Sequence, residues 1–214
     1  VGVIEGEVSF DKKGNAQVTL SGQTYPLLYI ATKKYRLWAL KKEIEDTGNA
    51  LKRLVVYPKA FHVPDRNQPH QIQFQFVRFE AETRKGASEE LDLMEFQLAG
   101  IWQFIPVCSI PCISIYKNFT PERIEWMKKA DAKKRVNFQK PVHLPVLWND
   151  APVKPFKYKP KAEEQEKPAF VKIKAKFNPD KNAFEFVSLL EEPTTEEVPR
   201  FLKPSKEDKQ LVQQ

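Results

Sequence analysis

Glycine, histidine and cysteine are scarce in this chain, which contains seven, three and two of them in 214 residues. The glycines never form the Gly-x-Gly-x-x-Gly or Walker patterns that hold nucleotide phosphates. No serine stands in the Gly-x-Ser-x-Gly context of an α/β-hydrolase nucleophile. We therefore expect a protein that is not an enzyme, with no catalytic residues and no cofactor. A metal-dependent nuclease is the enzymatic alternative that such a sequence could still contain.

The few histidines and cysteines do not form a recognisable metal-binding motif. His62 and His70 are eight residues apart, His143 stands alone, and Cys108 and Cys112 make a single Cys-x3-Cys with no second pair. Zinc sites usually combine more closely spaced pairs of ligands, so the sequence predicts no metal site. Two cysteines are also too few for a disulfide framework. They indicate buried thiols in a reducing compartment, and we expect a cytoplasmic protein.

Long apolar runs without proline are also missing. The longest nearly uncharged stretch, Phe96–Tyr116, contains Pro106 and Pro111 and cannot form one helix. It approaches the length of a membrane span, but its prolines and polar residues argue against one, and no membrane partner is expected. We interpret it as two strands, Phe96–Ile105 and Cys112–Tyr116. Strands this apolar must be covered on both faces or lie in a closed sheet, which favours a β-barrel or sandwich.

Aromatic residues and proline are plentiful, with 15 Phe, six Tyr, four Trp and 17 Pro, a composition typical of β-rich proteins. Helical spacing and turn residues predict two short helices, one within Lys33–Leu54 and one at Pro121–Arg135. The proline-containing segment Pro58–Gln71 is expected to be a loop. Alternation of apolar and polar residues predicts further strands at Val1–Phe10, Ala16–Leu20, Thr24–Ala31, Leu54–Tyr57, Ile72–Glu80, Pro141–Trp148, Ala169–Phe177 and Ala183–Leu190.

A polar and charged segment, Ala81–Glu95, separates two halves that have a similar order of elements. We place a domain boundary there, with one domain at residues 1–85 and a second at 93–192. Residues 193–214 have few apolar side chains and are expected to form a disordered or loosely docked tail.

The first half contains five strand segments, VGVIEGEV, AQVTL, TYPLLYI, RLVVYP and IQFQFVRFE, with a helix between the third and fourth. This order resembles the OB-fold of single-stranded nucleic-acid-binding proteins. The second half can be written in the same way. The resemblance implies a mainly β protein with two short helices, built as two small OB-like β-barrels in tandem with a flexible C-terminal tail. It also implies binding of single-stranded DNA or RNA through aromatic stacking beside basic side chains.

The charge of the chain agrees with a polyanionic partner, because the net charge is +7 and the pI is about 9.2. Basic and aromatic residues alternate around Lys33–Trp38, in Arg53–Phe61 and in Lys154–Lys159, and a stripe of lysines lies on one face of Ala169–Phe177. The candidate nucleic-acid-binding residues are Lys33, Lys34, Tyr35, Arg36, Trp38, Arg53, Lys154, Phe156, Lys157, Tyr158, Lys159, Lys172, Lys174 and Lys176.

Two structural interpretations of these segments stay open. The lysines could be ordinary solvated surface, and the aromatic rings could pack the loops onto the barrels. In a second functional hypothesis, the two barrels form a protein-interaction module. Its C-terminal tail, residues 193–214, would then carry Phe201 and Leu202 as a docking peptide for a protein partner.

Overall fold

The computed structural model describes residues 1–63, 65, 68–79 and 90–213, and these contain ten strands and four short α-helices. The expected mainly β fold is confirmed, although the sequence predicted two helices. The strands are β1 Gly2–Phe10, β2 Ala16–Leu20, β3 Gln23–Leu28, β4 Leu51–Phe61, β5 Gln71–Phe79, β6 Glu95–Gln103, β7 Cys112–Ile115, β8 Val142–Leu147, β9 Phe170–Asn178 and β10 Ala183–Thr194. The helices are α1 Lys34–Thr47, α2 Pro121–Lys129, α3 Ala132–Gln139 and α4 Lys206–Gln213.

Strands β1 to β5 close into an OB-like barrel, which we call the first ring. Antiparallel pairs join β1 to β2, β2 to β3, β5 to β4 and β4 back to β1. A short parallel pair, Leu27–Phe74 and Leu28–Gln75, joins β3 to β5 and completes the circle. Helix α1 connects β3 to β4 and places Leu37 and Leu40 in the core. The barrel order expected for the first half is thus confirmed.

Strands β6 to β10 follow the same circular order and form the second ring. Antiparallel pairs join β6 to β7, β7 to β8, β10 to β9 and β9 back to β6. The parallel pair Val146–Phe184 joins β8 to β10, as Leu27–Phe74 does in the first ring. Helices α2 and α3 lie between the second and third strands of this ring, whereas α1 lies between the third and fourth strands of the first.

The two rings share one hydrophobic core. Their first strands pair antiparallel at Gly2 and Phe96. The buried Phe96 ring stacks on Phe74 of the first ring at 6.0 Å between centroids, and meets Phe184 of the second ring edge-on at 5.1 Å. Phe177 likewise contacts Phe74 at 5.4 Å. Aromatic side chains therefore form a continuous seam between the barrels.

The structure corrects two predicted boundaries. Strand β4 continues to Phe61, although Pro58 led us to predict a loop from that residue onward. Beyond Val56 the strand pairs with β5 but no longer with β1, so a residue without an N–H is tolerated there. The helix predicted at Pro121–Arg135 is two helices, because Asp131 accepts a hydrogen bond from Lys134 N (2.8 Å) and caps the start of α3.

The C-terminal segment packs against the second ring. Leu202 is buried, and the Phe201 ring stacks on Tyr116 with 5.2 Å between centroids. The Arg135 guanidinium of α3 pairs with the carboxylate of Asp208 on α4. Leu202 and Phe201 therefore have partners within the chain, and neither is a free docking peptide in this conformation.

Part of the predicted domain boundary, residues 80–89, lies outside the described residues. Within the part of the chain that the structure describes, no helix has the length and apolar character needed to cross a membrane.

Candidate functional site

The outer face of β4 carries aromatic and basic side chains at alternating positions. Pro58 and Ala60 face inward, so Tyr57, Lys59 and Phe61 face outward. Tyr57 is 47% exposed and Phe61 is 56% exposed, which is unusual for large rings on a central segment of a β protein. Two flat rings with a cation between them give this strand the side chains needed to hold a nucleic-acid strand.

Lys59 lies within electrostatic range of a second cation, Lys117, which follows β7 of the second ring. Both side chains are half-buried, and neither has an ion pair among the described residues. Burial lowers the pKa of Lys59, and the charge of Lys117 lowers it further. Burial and the charge of Arg123 lower the pKa of Lys117 in the same way. Cations held together without a carboxylate favour an anion between them, and we call Tyr57, Lys59, Phe61 and Lys117 the β4 surface.

Two of the predicted residues adjoin the β4 surface. Lys33 and Arg36 line a small cavity of about 90 Å³ together with Tyr29 and Tyr57. The guanidinium of Arg36 donates a hydrogen bond to the Val77 carbonyl (3.0 Å), which holds it beside this cavity. The structure thus extends the row of cations and rings from β4 toward the start of α1.

The other predicted residues of α1 are exposed on the helix. Tyr35 is 62% exposed, and Trp38 is 64% exposed. The ammonium of Lys42 lies 5.7 Å from the centre of the Trp38 ring. Lys34 is exposed at the first position of the helix. Trp38 therefore lies outside the hydrophobic core, and its ring is accessible to a ligand.

The predicted lysine stripe on β9 is largely neutralised. Lys172 pairs with Glu191 at 2.6 Å, and Lys174 pairs with Glu95 at 3.2 Å. Lys176 is exposed on the same face of the strand. The acidic partners belong to the neighbouring strands β10 and β6, which a pattern within one strand could not reveal. This face is consequently a poor anion-binding surface.

Hydrogen bonds and an ion pair hold parts of the predicted loop Lys154–Lys159 in place. Arg53 is also held by a hydrogen bond. Phe156 N donates to the Trp102 carbonyl (3.0 Å) and Phe156 O accepts from Phe104 N (2.8 Å), so this residue extends the sheet beside β6. Lys159 pairs with Glu166 at 2.9 Å. Arg53 donates to the Leu91 carbonyl at 3.3 Å. The exposed members of the loop are Lys154, Lys157, Tyr158 and the ion-paired Lys159.

All three histidines and both cysteines of the chain meet at the junction of the rings. His62 and His70 flank the loop between β4 and β5, Cys108 and Cys112 come from the connection between β6 and β7, and His143 lies in β8. Ligand atoms of His62, Cys108 and Cys112 all lie within 4.8 Å of one another. We call these three residues the thiol–imidazole cluster. Sequence spacing gave no sign of it because the two loops belong to different barrels.

Hydrogen bonds fix the geometry of the cluster. Cys112 Sγ donates to Cys108 Sγ at 2.9 Å, and Cys108 Sγ lies 3.3 Å from His62 Nδ1. His62 Nε2 lies 2.6 Å from the carbonyl oxygen of His143 and must carry the proton in that bond. In the neutral imidazole, Nδ1 therefore presents its lone pair to the sulfur of Cys108.

The two thiols of the cluster have pKa values that are shifted in opposite directions. The hydrogen bond from Cys112, together with His62, lowers the pKa of Cys108 to about 5. The same contact and burial raise the pKa of Cys112. Cys108 also raises the pKa of His62. The cluster thus favours a Cys108 thiolate, which is the protonation state of a metal ligand or a reactive thiol.

The remaining histidines have distinct surroundings. His70 Nε2 lies 2.5 Å from the Asn182 carbonyl oxygen, and its ring centre is 5.5 Å from that of His62. Both imidazoles line a cavity of about 210 Å³. His143 Nδ1 lies 2.6 Å from Ser114 Oγ, and burial lowers the pKa of His143 to about 4. The side chain of His143 is therefore neutral near pH 7.

Comparison with known proteins gives no family for this chain: no protein-family model, no curated protein and no solved structure matches it.

Proposed function

We propose that this protein binds single-stranded nucleic acid across the β4 surface, without chemistry of its own. The observation that carries the proposal is the pair Lys59 and Lys117, two half-buried cations without a carboxylate partner among the described residues, with the exposed rings of Tyr57 and Phe61 on either side of Lys59. On β9, by contrast, Lys172 and Lys174 are neutralised by glutamates. The OB-like closure of the first ring supports the proposal, since such barrels present strands and loops to single strands.

In the proposed mechanism, cations bind the phosphates of the strand and aromatic rings stack on its bases. A phosphate group between Lys59 and Lys117 would offset the repulsion between them and favour the charged form of each amine. Bases would stack on Tyr57 and Phe61, where each stacked base contributes about 1–3 kcal/mol. Stacking does not distinguish strongly among bases, so we expect weak sequence preference. Arg36 and Lys33 would contact the next phosphates toward α1.

The test is a fluorescence-anisotropy titration of labelled single-stranded DNA and RNA at several salt concentrations. Lys59→Gln combined with Lys117→Gln removes two charges from the β4 surface. The matched control, Lys172→Gln with Lys174→Gln, removes the same charge from an ion-paired face. For the first pair we expect weaker binding and a log–log salt slope reduced by about 1.4, since each phosphate contact on a single strand contributes about 0.7.

The control pair should keep both the wild-type slope and affinity. Equal losses in the two double variants would mean that only net charge matters, and the assignment of the β4 surface would be wrong. Tyr57→Ala and Phe61→Ala should weaken binding while leaving the salt slope unchanged. Failure of the wild-type protein to bind any single strand at about 10 µM, within the range of non-specific binding, would refute the function itself.

A further inference from the structure

We propose that His62, Cys108 and Cys112, with His70 as the fourth ligand, form a zinc site that fastens the two rings together. The sequence predicted no metal, and the proposed nucleic-acid binding does not require one. The proposal rests on the two sulfurs and the His62 imidazole, whose ligand atoms lie within 4.8 Å of one another, and on the His70 ring, whose centre is 5.5 Å from that of His62. Two cysteines with two histidines are one of the donor sets found in tetrahedral structural zinc sites.

The orientation of the two imidazoles supports ligation. Metal-bound histidines usually donate their second ring N–H to a carbonyl or carboxylate, which aims the other nitrogen at the metal. Nε2 of His62 lies 2.6 Å from the His143 carbonyl oxygen, and Nε2 of His70 lies 2.5 Å from the Asn182 carbonyl oxygen. Both bonds leave Nδ1 as the free donor, and for His62 that atom already faces Cys108.

The charge and size of the cluster also suit a divalent ion. Two thiolates balance the charge of Zn²⁺, so the occupied site is neutral at a partly buried position. The sulfurs of Cys108 and Cys112 are 2.9 Å apart. Zinc–sulfur bonds of about 2.3 Å in a tetrahedron place two sulfurs about 3.8 Å apart, so binding would separate them by about 1 Å. Cys108 is half-exposed in the β6–β7 connection and can supply this shift, whereas Cys112 is buried at the start of β7.

Zinc in this position would connect the β4–β5 loop of the first ring to the β6–β7 connection of the second. The β4–β5 loop is also joined to other parts of the second ring, by the His62 contact to the β8 backbone and by reciprocal bonds between His70 and Asn182, which lies between β9 and β10. The ion would therefore stabilise an interface that exists without it. No electron transfer is involved, and the thiol protons are released to solvent on binding.

The experiment is titration of the reduced full-length protein with Co²⁺ and then Zn²⁺. We expect one ion per chain, an intense visible spectrum of tetrahedral cobalt, and thiolate-to-cobalt absorption in the near ultraviolet. Zinc should displace cobalt with a dissociation constant below about 0.1 µM, the weak end of the range for structural zinc sites. The midpoint of thermal unfolding should rise with zinc concentration.

Variants identify the ligands, and each is checked for folding by circular dichroism. Cys112→Ser and His62→Gln should abolish the cobalt spectrum, and His70→Gln should weaken binding and shift the spectrum. His143→Gln is the matched control, because the carbonyl that His143 offers to His62 belongs to the backbone and its own Nδ1 is bonded to Ser114, so the variant should bind as the wild type does. Zinc affinity unchanged in a Cys108→Ser, Cys112→Ser double variant would overturn the proposal. A reduced wild-type protein that binds neither ion, but whose cysteines oxidise to an intramolecular disulfide, would also overturn it in favour of a redox pair.

Discussion

Replacing Phe96 by alanine tests whether the two rings are one folding unit. The Phe96 side chain is completely buried and contacts Phe74 of the first ring and Phe184 of the second. Its ring also packs on the backbone of Gly2, where a Cβ atom would lie only 2.0 Å from the ring. The atoms around Phe96 belong to strand backbone and to other rings, so they can shift little to fill the cavity that the substitution leaves. We expect a loss of about 3–5 kcal/mol, the usual cost of deleting a buried phenylalanine.

The assay is urea unfolding followed by the fluorescence of a single tryptophan placed in one ring or the other. A variant that keeps only Trp38 reports on the first ring, and one that keeps only Trp102 reports on the second. In both backgrounds Phe96→Ala should lower the midpoint by about 2 M, for a loss of 4 kcal/mol and a slope of about 2 kcal/mol/M. The midpoints reported by the two tryptophans should fall by the same amount, because the aromatic seam is part of both barrels.

Phe61→Ala is the control, since it removes the same atoms from a ring that is 56% exposed. Its free energy of unfolding should change by no more than about 0.5 kcal/mol, as is usual for surface positions. If Phe96→Ala shifts the transition of the second ring and leaves that of the first in place, the rings are independent domains. The reasoning from a shared core would then be wrong.

Three further substitutions test the surface, the strand packing and the C-terminal helix. Lys59→Met should raise the free energy of unfolding by about 0.5–2 kcal/mol in urea while weakening nucleic-acid binding. That gain should shrink as pH rises through the lowered pKa of Lys59, because the folded wild-type protein is then neutral there too. Gly100→Ala should cost about 1–3 kcal/mol, since its Cβ would lie 2.5 Å from the Ser114 carbonyl oxygen. Asp208→Asn should release α4 and speed its proteolysis. Acidification of the wild type should have the same effect, because the Arg135 hydrogen bond lowers the pKa of Asp208 and its contribution is lost as pH falls through that value.

Most of the fold could be predicted from the sequence because local patterns determine it. Alternation placed β1, β2 and β5 almost to the residue, and the prolines of Phe96–Tyr116 correctly separated β6 from β7. The errors arose where tertiary context overrides a local signal. Pro58 predicts the end of a strand. Strand β4 nevertheless continues through it, because beyond Val56 β4 pairs with β5 and no longer with β1.

The candidate site was much harder to predict because it depends on contacts between distant segments. The alternation of Tyr57, Lys59 and Phe61 was visible, but nothing in the sequence paired it with Lys117. Lys172 looked like a groove-lining residue until its glutamate partner on β10 was located. The same limit explains the missed thiol–imidazole cluster, whose ligands are joined by barrel closure and not by spacing.

The contacts between the rings join equivalent parts of the two barrels. First strand pairs with first strand at Gly2 and Phe96, and the loop between fourth and fifth strands meets its counterpart through His70 and Asn182. Such contacts are those of an isologous, twofold-symmetric dimer. Two short strings even match at equivalent places, Tyr-Pro-Leu-Leu at 25–28 with Leu-Pro-Val-Leu at 144–147, and Phe-Gln-Phe at 74–76 with Phe-Glu-Phe at 184–186. Each ring therefore contacts the other through the same parts of its fold, so a substitution at one of these positions acts on the equivalent part of the other ring.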